Sequence, residues 1–119
     1  SRQPDVICLR YEQQRWTYSM LHQQANQLAR LLLQQPELVP DQPVALLLER
    51  TAYLPLSILA IWTAGAAYLP LDTASPADRI CSILSDAGCQ LLITDVKSCA
   101  DTLKNALPPT IKMLLIGVL

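Results

Sequence analysis

Apolar and polar residues alternate along this chain in blocks whose periods predict strands followed by helices. Short apolar runs, bounded by turn-forming or polar residues, are typical of buried strands of a parallel sheet, which lack the apolar-polar alternation of half-exposed strands. The sequence predicts such strands at Val6–Tyr11, Val44–Leu48, Ala67–Leu71, Gln90–Thr94 and Lys112–Ile116, with a further short strand at Arg15–Thr17.

The first helix is predicted from about Tyr18 to Leu33, with Thr17 as a plausible N-cap. Apolar residues recur there at the spacing that places them on one helix face, at Leu21, Ala25, Leu28 and Leu32. The prolines of the segment 35–42 then end the unit. We therefore expect an amphipathic helix that packs its apolar face on the sheet.

The second helix is predicted to reach Ala64, with Thr51 as its cap and Gly65 as its stop. It is apolar nearly all round, so we expect it to be buried. The uncharged stretch from Thr51 to Leu71 is also long enough to span a bilayer. Pro55, Gly65 and the strand-like end of the stretch favour a core helix followed by a buried strand instead.

A third helix should begin at Ser75, because Pro76 and Asp78 complete the pattern of a capping box, and it should end near Gly88. Another helix is predicted over Cys99–Ala106. Strands that alternate with helices of this length indicate an α/β fold with a mostly parallel sheet.

The composition is unusual for a self-sufficient domain of 119 residues, since 51% of the residues are apolar and only 16% are charged. The excess of apolar residues indicates faces that pack on further protein, although a small and apolar domain is the alternative. The net charge of −1 and the scattered basic residues predict no binding of nucleic acid.

Residues for chemistry are sparse. The cysteines at positions 8, 81, 89 and 99 have no metal-ligand spacing, and we expect free, mostly buried thiols in a reducing cytoplasm. The single histidine, His22, is predicted on the polar side of the first helix. Asp72 and Asp78 flank a helix start, where carboxylates favourably meet the helix dipole, and Asp86 and Asp101 are predicted surface acids. The three glycines form no phosphate loop, so we predict no catalytic, cofactor-binding or metal-binding residue in this chain.

Several blocks of the chain resemble a known family in order and spacing. The segment from Trp62 to Asp72 resembles the "LKAGGAYVPLD" block of nonribosomal peptide synthetase adenylation domains. Three further blocks are similar to the family's "PDAVAL-FE" opening, its "LTYxEL" motif and its "VALLLERS" strand, and these are Pro4–Glu12, Trp16–Leu21 and Val44–Thr51. The later segment Ser75–Ile80 stands where "YPAERL" is usual, and Ser85–Ala87 and Leu92–Thr94 match the next strand.

The departures from the family's pattern fall on structural positions. Met20 replaces the usual glutamate, Thr63 a lysine and Ser75 a tyrosine. Within the wider superfamily, acyl-CoA ligases and luciferases usually read "P-x-N" where this chain has Pro70-Leu71-Asp72. The resemblance to the "AYLPLD" form therefore favours activation of an amino acid over that of a fatty acid, and a D-alanine-activating ligase is the nearest alternative.

The resemblance implies the N-terminal subdomain of the adenylate-forming fold, as an incomplete adenylation domain over residues 1–119. It implies a parent that uses ATP and Mg²⁺ to form an aminoacyl-adenylate and passes the acyl group to a phosphopantetheine arm. The implied partners are the remainder of the adenylation domain and neighbouring condensation and carrier domains. The family's phosphate loop is expected some tens of residues beyond Leu119, so this chain alone is expected to be inactive.

Two other classes stay open at this point. One is a non-catalytic, free-standing α/β module that binds another protein through its apolar surface. The other is a phospho-receiver or flavodoxin-like domain, which lacks support because neither paired acids nor a hydroxyl-rich phosphate loop follows the first strand.

Overall fold

The computed structural model describes residues 6–9, 18–48, 53–95 and 106–116 of the chain. Three helices and five strands lie in these ranges. The strands are β1 (Val6–Leu9), β2 (Val44–Leu47), β3 (Tyr68–Pro70), β4 (Leu91–Thr94) and β5 (Lys112–Ile116), and the helices are α1 (Tyr18–Leu33), α2 (Leu54–Thr63) and α3 (Ala77–Ala87).

The five strands form one sheet in the order β1-β5-β4-β2-β3, and every pair is parallel. In the central pair, Val44 of β2 lies opposite Leu91 of β4, and Leu47 lies opposite Thr94. The predicted α/β fold with a mostly parallel sheet is therefore confirmed. β1 and β3 form the two edges.

Both faces of the sheet are covered, which explains the continuous apolar runs of β2, β4 and β5. One face packs on α1 and α2 through a core that includes Leu46, Ile93 and Leu114. The other face packs on α3 through Leu47, Leu92 and Met113 of the strands. Successive strand residues alternate between the two cores, as the pleat requires.

The predicted bounds of α1 and β5 are confirmed, and the strands β1 to β4 begin or end within two residues of their predicted bounds. Ala25, Leu28 and Leu32 of α1 are completely buried, and Leu21 is half-buried against the same core. Some predictions lie outside the described residues: the strand at 15–17, the cap at Thr17, and the helix over 99–106 apart from its last residue.

Gly65 and Gly88 end α2 and α3 as predicted, with φ of 82° and 67°. Two hydrogen bonds close each helix end. The amides of Gly65 and Ala66 donate to the carbonyls of Trp62 and Ile61, and the amides after α3 bond in the same way to Ser85 and Leu84. This is the Schellman pattern, which needs a left-handed residue and so favours glycine.

The predicted capping box at α3 is wrong. The N-cap is Pro76, in an extended conformation, and no side chain caps the helix. The Ser75 amide donates to the Asp72 carbonyl at 3.0 Å, and the Asp78 carboxylate accepts from the amide of Arg79. Because the backbone of Pro76 is extended, the helix begins one residue later than the serine signal predicts, and the Ser75 side chain makes no capping hydrogen bond.

The prediction for α2 needs two corrections. Its N-cap position is Tyr53, not the predicted Thr51, and no side chain caps the helix. Pro55 lies in the first turn. Burial is also restricted to one face, which consists of Leu56, Ser57, Ala60 and Ile61, whereas Trp62 is 62% exposed. The helix covers only one face of the sheet, and its outer side is only partly covered by the described residues.

α2 has ten residues, which is far fewer than a membrane span needs. Across the described ranges, no helix has both the length and the apolar character to cross a bilayer.

Candidate functional site

In open α/β sheets, ligands bind at the carboxyl ends of the strands, where neighbouring strands send their connections in opposite directions. That point lies here between β2 and β4, because the chain leaves β2 toward β3 and leaves β4 toward β5. Leu48 follows β2 and is half-buried, and Asp95 follows β4 and is buried. The polar groups of a ligand site are therefore expected to converge in this crevice.

Two hydroxyl groups near this edge are buried without a hydrogen-bond partner, those of Ser57 and Thr94. They do not form a common site. Thr94 projects from the sheet on the side of Leu92, toward α3, whereas Ser57 belongs to α2 on the opposite face. The sheet therefore separates the two hydroxyls.

The opposite, amino-terminal edge of the sheet carries two open grooves. The larger, of about 540 Å³, lies between residues 39–43 and 65–67. The smaller, of about 270 Å³, lies between the end of α3 and residues 108–111. Gln42 lines both grooves, and Asp41 is the only ionisable side chain besides the Cys89 thiol that lines either. The residues that line the two grooves can therefore pack against other protein, but they do not include an acid-base pair.

A small polar cluster fastens this same edge. The Lys112 ammonium, at the start of β5, donates to Gln35 Oε1 at 2.8 Å and lies 3.4 Å from Glu37 Oε1. Gln35 in turn donates through Nε2 to the carbonyl of Leu31, near the end of α1. The positive charge of Lys112 is thus bound by Gln35 and Glu37 of the loop after α1. We therefore assign the cluster a structural role.

The two described cysteines are free, and neither is activated. Burial raises the pKa of the Cys89 thiol, which donates to the carbonyls of Leu91 and Pro43 at 3.0 and 3.1 Å. Burial, and secondarily the charge of Asp78, raises the pKa of Cys81. A nucleophilic thiol needs a lowered pKa, so neither is suited to covalent catalysis. Cys8 and Cys99 fall where no side chain is described.

The other residues that the sequence suggests for chemistry lie apart from one another in the structure. His22 is exposed on α1, as predicted, and Asp72, Asp78 and Asp86 are exposed around α3. Asp72 accepts from the amide of Ala74, which is a local turn bond. Within the described ranges, no three His, Cys, Asp or Glu side chains lie close enough to hold a metal ion. That this chain contributes no site residue stays a prediction.

The described glycines do not suit a nucleotide phosphate either. Gly65 and Gly88 both follow the carboxyl ends of helices. Those ends carry partial negative charge, whereas phosphate binds at helix amino ends. Neither Gly65 nor Gly88 therefore provides a phosphate-binding loop.

The comparisons with known proteins agree with the fold. Residues 1–116 match the AMP-binding enzyme family. A dimodular nonribosomal peptide synthase of Bacillus subtilis (strain 168) is 41% identical over 106 residues, which are 89% of this chain and 4% of that protein.

Solved structures show the same similarity. The nonribosomal peptide synthetase FmoA3, in its form bound to alpha-methyl-L-serine-AMP, has a TM-score of 0.77 at 28% identity over 94% of this chain and 12% of its own. The N-terminal subdomain of NpsA from Klebsiella oxytoca has a TM-score of 0.67 at 29% identity over 92% of this chain and 26% of its own.

The chain thus spans only a small part of the relatives it matches, and the matched part includes every described strand and helix. It belongs to the AMP-binding enzyme family, in which it corresponds to the N-terminal part of the adenylation domains of nonribosomal peptide synthetases.

Proposed function

We propose that this chain forms the N-terminal structural unit, as an incomplete adenylation domain, of an enzyme that activates an amino acid for peptide synthesis. In the parent, ATP with Mg²⁺ and the amino acid give an aminoacyl-adenylate and pyrophosphate. The acyl group then forms a thioester with the phosphopantetheine arm of a carrier domain. The observation that carries the proposal is the match over residues 1–116 together with the structural similarity to FmoA3, at a TM-score of 0.77.

The role of this segment in such a parent is that of a scaffold. Its sheet is covered on both faces, and Lys112 and the two Schellman ends fix the connections at the amino-terminal edge. The described residues provide no activated nucleophile and no phosphate-binding loop. Substrate binding and catalysis are therefore assigned to the rest of the adenylation domain, and peptide assembly to condensation and carrier domains of the same synthetase.

The test is ATP–pyrophosphate exchange by two recombinant proteins, this chain alone and the adenylation domain that contains it. We expect amino-acid-dependent exchange from the domain and none from the chain. A panel of L-amino acids, D-alanine, aryl acids and fatty acids distinguishes the amino-acid-activating function from the alternative ligases. Exchange by the isolated chain would contradict the scaffold role, and a domain that activates only fatty acids would contradict the proposed substrate class.

A non-catalytic interaction module is the second candidate, and the exposed indole of Trp62 favours it. The intact mass of the polypeptide in its native source, detected with an antibody to this chain, separates the two. A species far above 13.2 kDa supports the synthetase, and one of 13.2 kDa supports the free module.

A further inference from the structure

α2 carries two apolar stripes on opposite sides. The first is its buried face, which consists of Leu56, Ser57, Ala60 and Ile61 and is centred between Ser57 and Ala60. The second consists of Pro55, Ile58, Leu59 and Trp62, whose spacing of i, i+3, i+4 and i+7 places them on one side of a helix. At 100° per residue, the centre of this outer stripe lies about opposite that of the buried face. No residue of α2 is charged.

The outer stripe is only partly covered. Ile58 and Leu59 are half-buried, because they touch the margin of the core shared with α1. Pro55 and Trp62 are exposed. In the described ranges, Trp62 and Leu33 are the two exposed large apolar side chains. The exposed indole and its three apolar neighbours lie together on one side of the helix, and contiguous apolar surface of this kind marks an interaction site when it is large enough.

The other described helices have mainly polar outer faces, and the one large apolar side chain exposed on them is Leu33, the last residue of α1. The exposed residues on the outer side of α1 are Gln23, Asn26, Gln27 and Arg30, and those of α3 are Asp78, Arg79, Ser82, Ser85 and Asp86. These two helices therefore suit contact with water. α2 lacks such a face, and a helix that is apolar all round belongs in the interior of a larger structure.

The size of the stripe argues against a second copy of this chain as its occupant. A stable interface between separate proteins buries about 800 Å² on each partner. Two exposed and two half-buried side chains on one ten-residue helix offer much less. A segment of the same polypeptide needs less area, because its covalent connection removes most of the entropic cost of association.

The relatives indicate that such a segment exists in proteins of this family. The chain matches 26% of the N-terminal subdomain of NpsA, so most of that subdomain lies outside the matched part. The stripe and the absence of charge on α2 are suited to an apolar face of this additional protein. α2 also leads directly into β3, the edge strand of the sheet, where further structure has room to pack.

We propose that the outer stripe of α2 is the surface on which the remainder of the adenylation domain packs, with the exposed Trp62 as its anchor. This inference rests on the proposed function, since it takes the occupant from the same polypeptide. Condensation and carrier domains are not required for the stripe to be covered.

The test is hydroxyl-radical footprinting of the recombinant adenylation domain, with oxidation measured for each residue by mass spectrometry. The matched control is the double substitution Trp62→Phe/Thr63→Trp, which moves the indole by one position off the stripe. We expect Trp62 of the unmodified domain to be oxidised several-fold more slowly than the indole at position 63 of the control. Equal oxidation at the two positions would overturn the proposal.

Two further outcomes identify a different occupant. Protection of Trp62 that appears only when the condensation domain is present would assign the stripe to that domain. Protection in the isolated chain, together with a dimer in sedimentation that Trp62→Lys abolishes, would assign it to a second copy. Either result overturns the proposal. Exchange activity of the same preparation reports separately on the proposed function, so an active domain with an accessible Trp62 contradicts only the docking surface.

Discussion

Replacing Lys112 by methionine tests the cluster that ties the loop after α1 to the start of β5. Lys112 is 16% exposed, and its ammonium donates to Gln35 Oε1 at 2.8 Å. Gln35 itself is buried, so its amide oxygen has little access to water once the donor is lost. Methionine keeps the unbranched apolar part of the side chain, so the substitution removes the charge and the hydrogen bond with little change in packing.

The expected loss can be divided between the two partners. A hydrogen bond to a charged group contributes about 1.5–3 kcal/mol, and a buried acceptor left without its donor costs a similar amount. The contact with Glu37 is longer, at 3.4 Å, and the side chains of Lys112 and Glu37 are 16% and 26% exposed, although the contacting Oε1 of Glu37 is itself buried. Such an ion pair is worth about 0.2–1 kcal/mol. We expect Lys112→Met to reduce the free energy of unfolding by about 2–3 kcal/mol.

The assay is urea unfolding followed by far-ultraviolet circular dichroism, with Glu37→Gln as the matched control. The control removes the ion pair but leaves the Lys112–Gln35 bond, so we expect a loss of about 0.2–1 kcal/mol. Salt at about 1 M should remove most of the control's effect, because the Debye length falls to about 3 Å. Equal losses for the two variants would refute the reasoning, since they would assign the link to the ion pair.

Three other predictions concern the helix ends, the core and a buried thiol. Gly88→Ala should cost about 1–2 kcal/mol in urea unfolding, because an added Cβ meets Gln42 only at 3.7 Å and the cost comes from the left-handed backbone; Gly88→Asn should cost less, and an equal cost would argue for a steric cause. Leu84→Ala should cost about 2–5 kcal/mol, since Leu84 is completely buried on the face of α3 that packs on the sheet, whereas Leu33→Ala, at an exposed site, should stay within about 0.5 kcal/mol. Burial raises the pKa of Cys89 above the ordinary 9.0, so its contribution to stability is complete below that pH and is lost as the pH rises toward the folded-state pKa, where the unfolded thiol ionises first. Unfolding measured across this range should show a decline that Cys89→Ala reduces, and an unchanged decline would contradict the assignment to this thiol.

That this chain contributes no site residue is a prediction from the sequence, and it stays one. The glycines are isolated and the histidine is single, so neither a phosphate loop nor a nucleophile with its base was expected. The structure adds a physical reason for Gly65 and Gly88, which follow the negative ends of helices. The separation of Ser57 and Thr94 by the sheet was not predictable, because it depends on which face each side chain takes.

The starts of α2 and α3 show where local signals failed. Ser75, Pro76 and Asp78 have the spacing of a capping box, yet Asp78 accepts from its neighbour's amide and the helix begins after Pro76. A capping motif contributes about 1 kcal/mol, and the extended backbone of Pro76 together with the turn at Asp72 outweighs it. Helix ends are therefore less predictable than helix interiors, whose apolar periodicity sums over many residues.

The sequence by itself determined the elements, the parallel sheet and the family. The periodicity of α1, the uninterrupted apolar strands and the glycines after two helices are local properties, because each depends on neighbours within a few residues. Tertiary structure alone decided the strand order, the engagement of Lys112 by Gln35, and the exposure of Trp62 on a helix that the sequence predicts to be buried. Those features depend on contacts between residues that are distant in the chain. The hydrophobic pattern indicates which face of a helix is apolar, but it does not indicate which part of the protein covers that face.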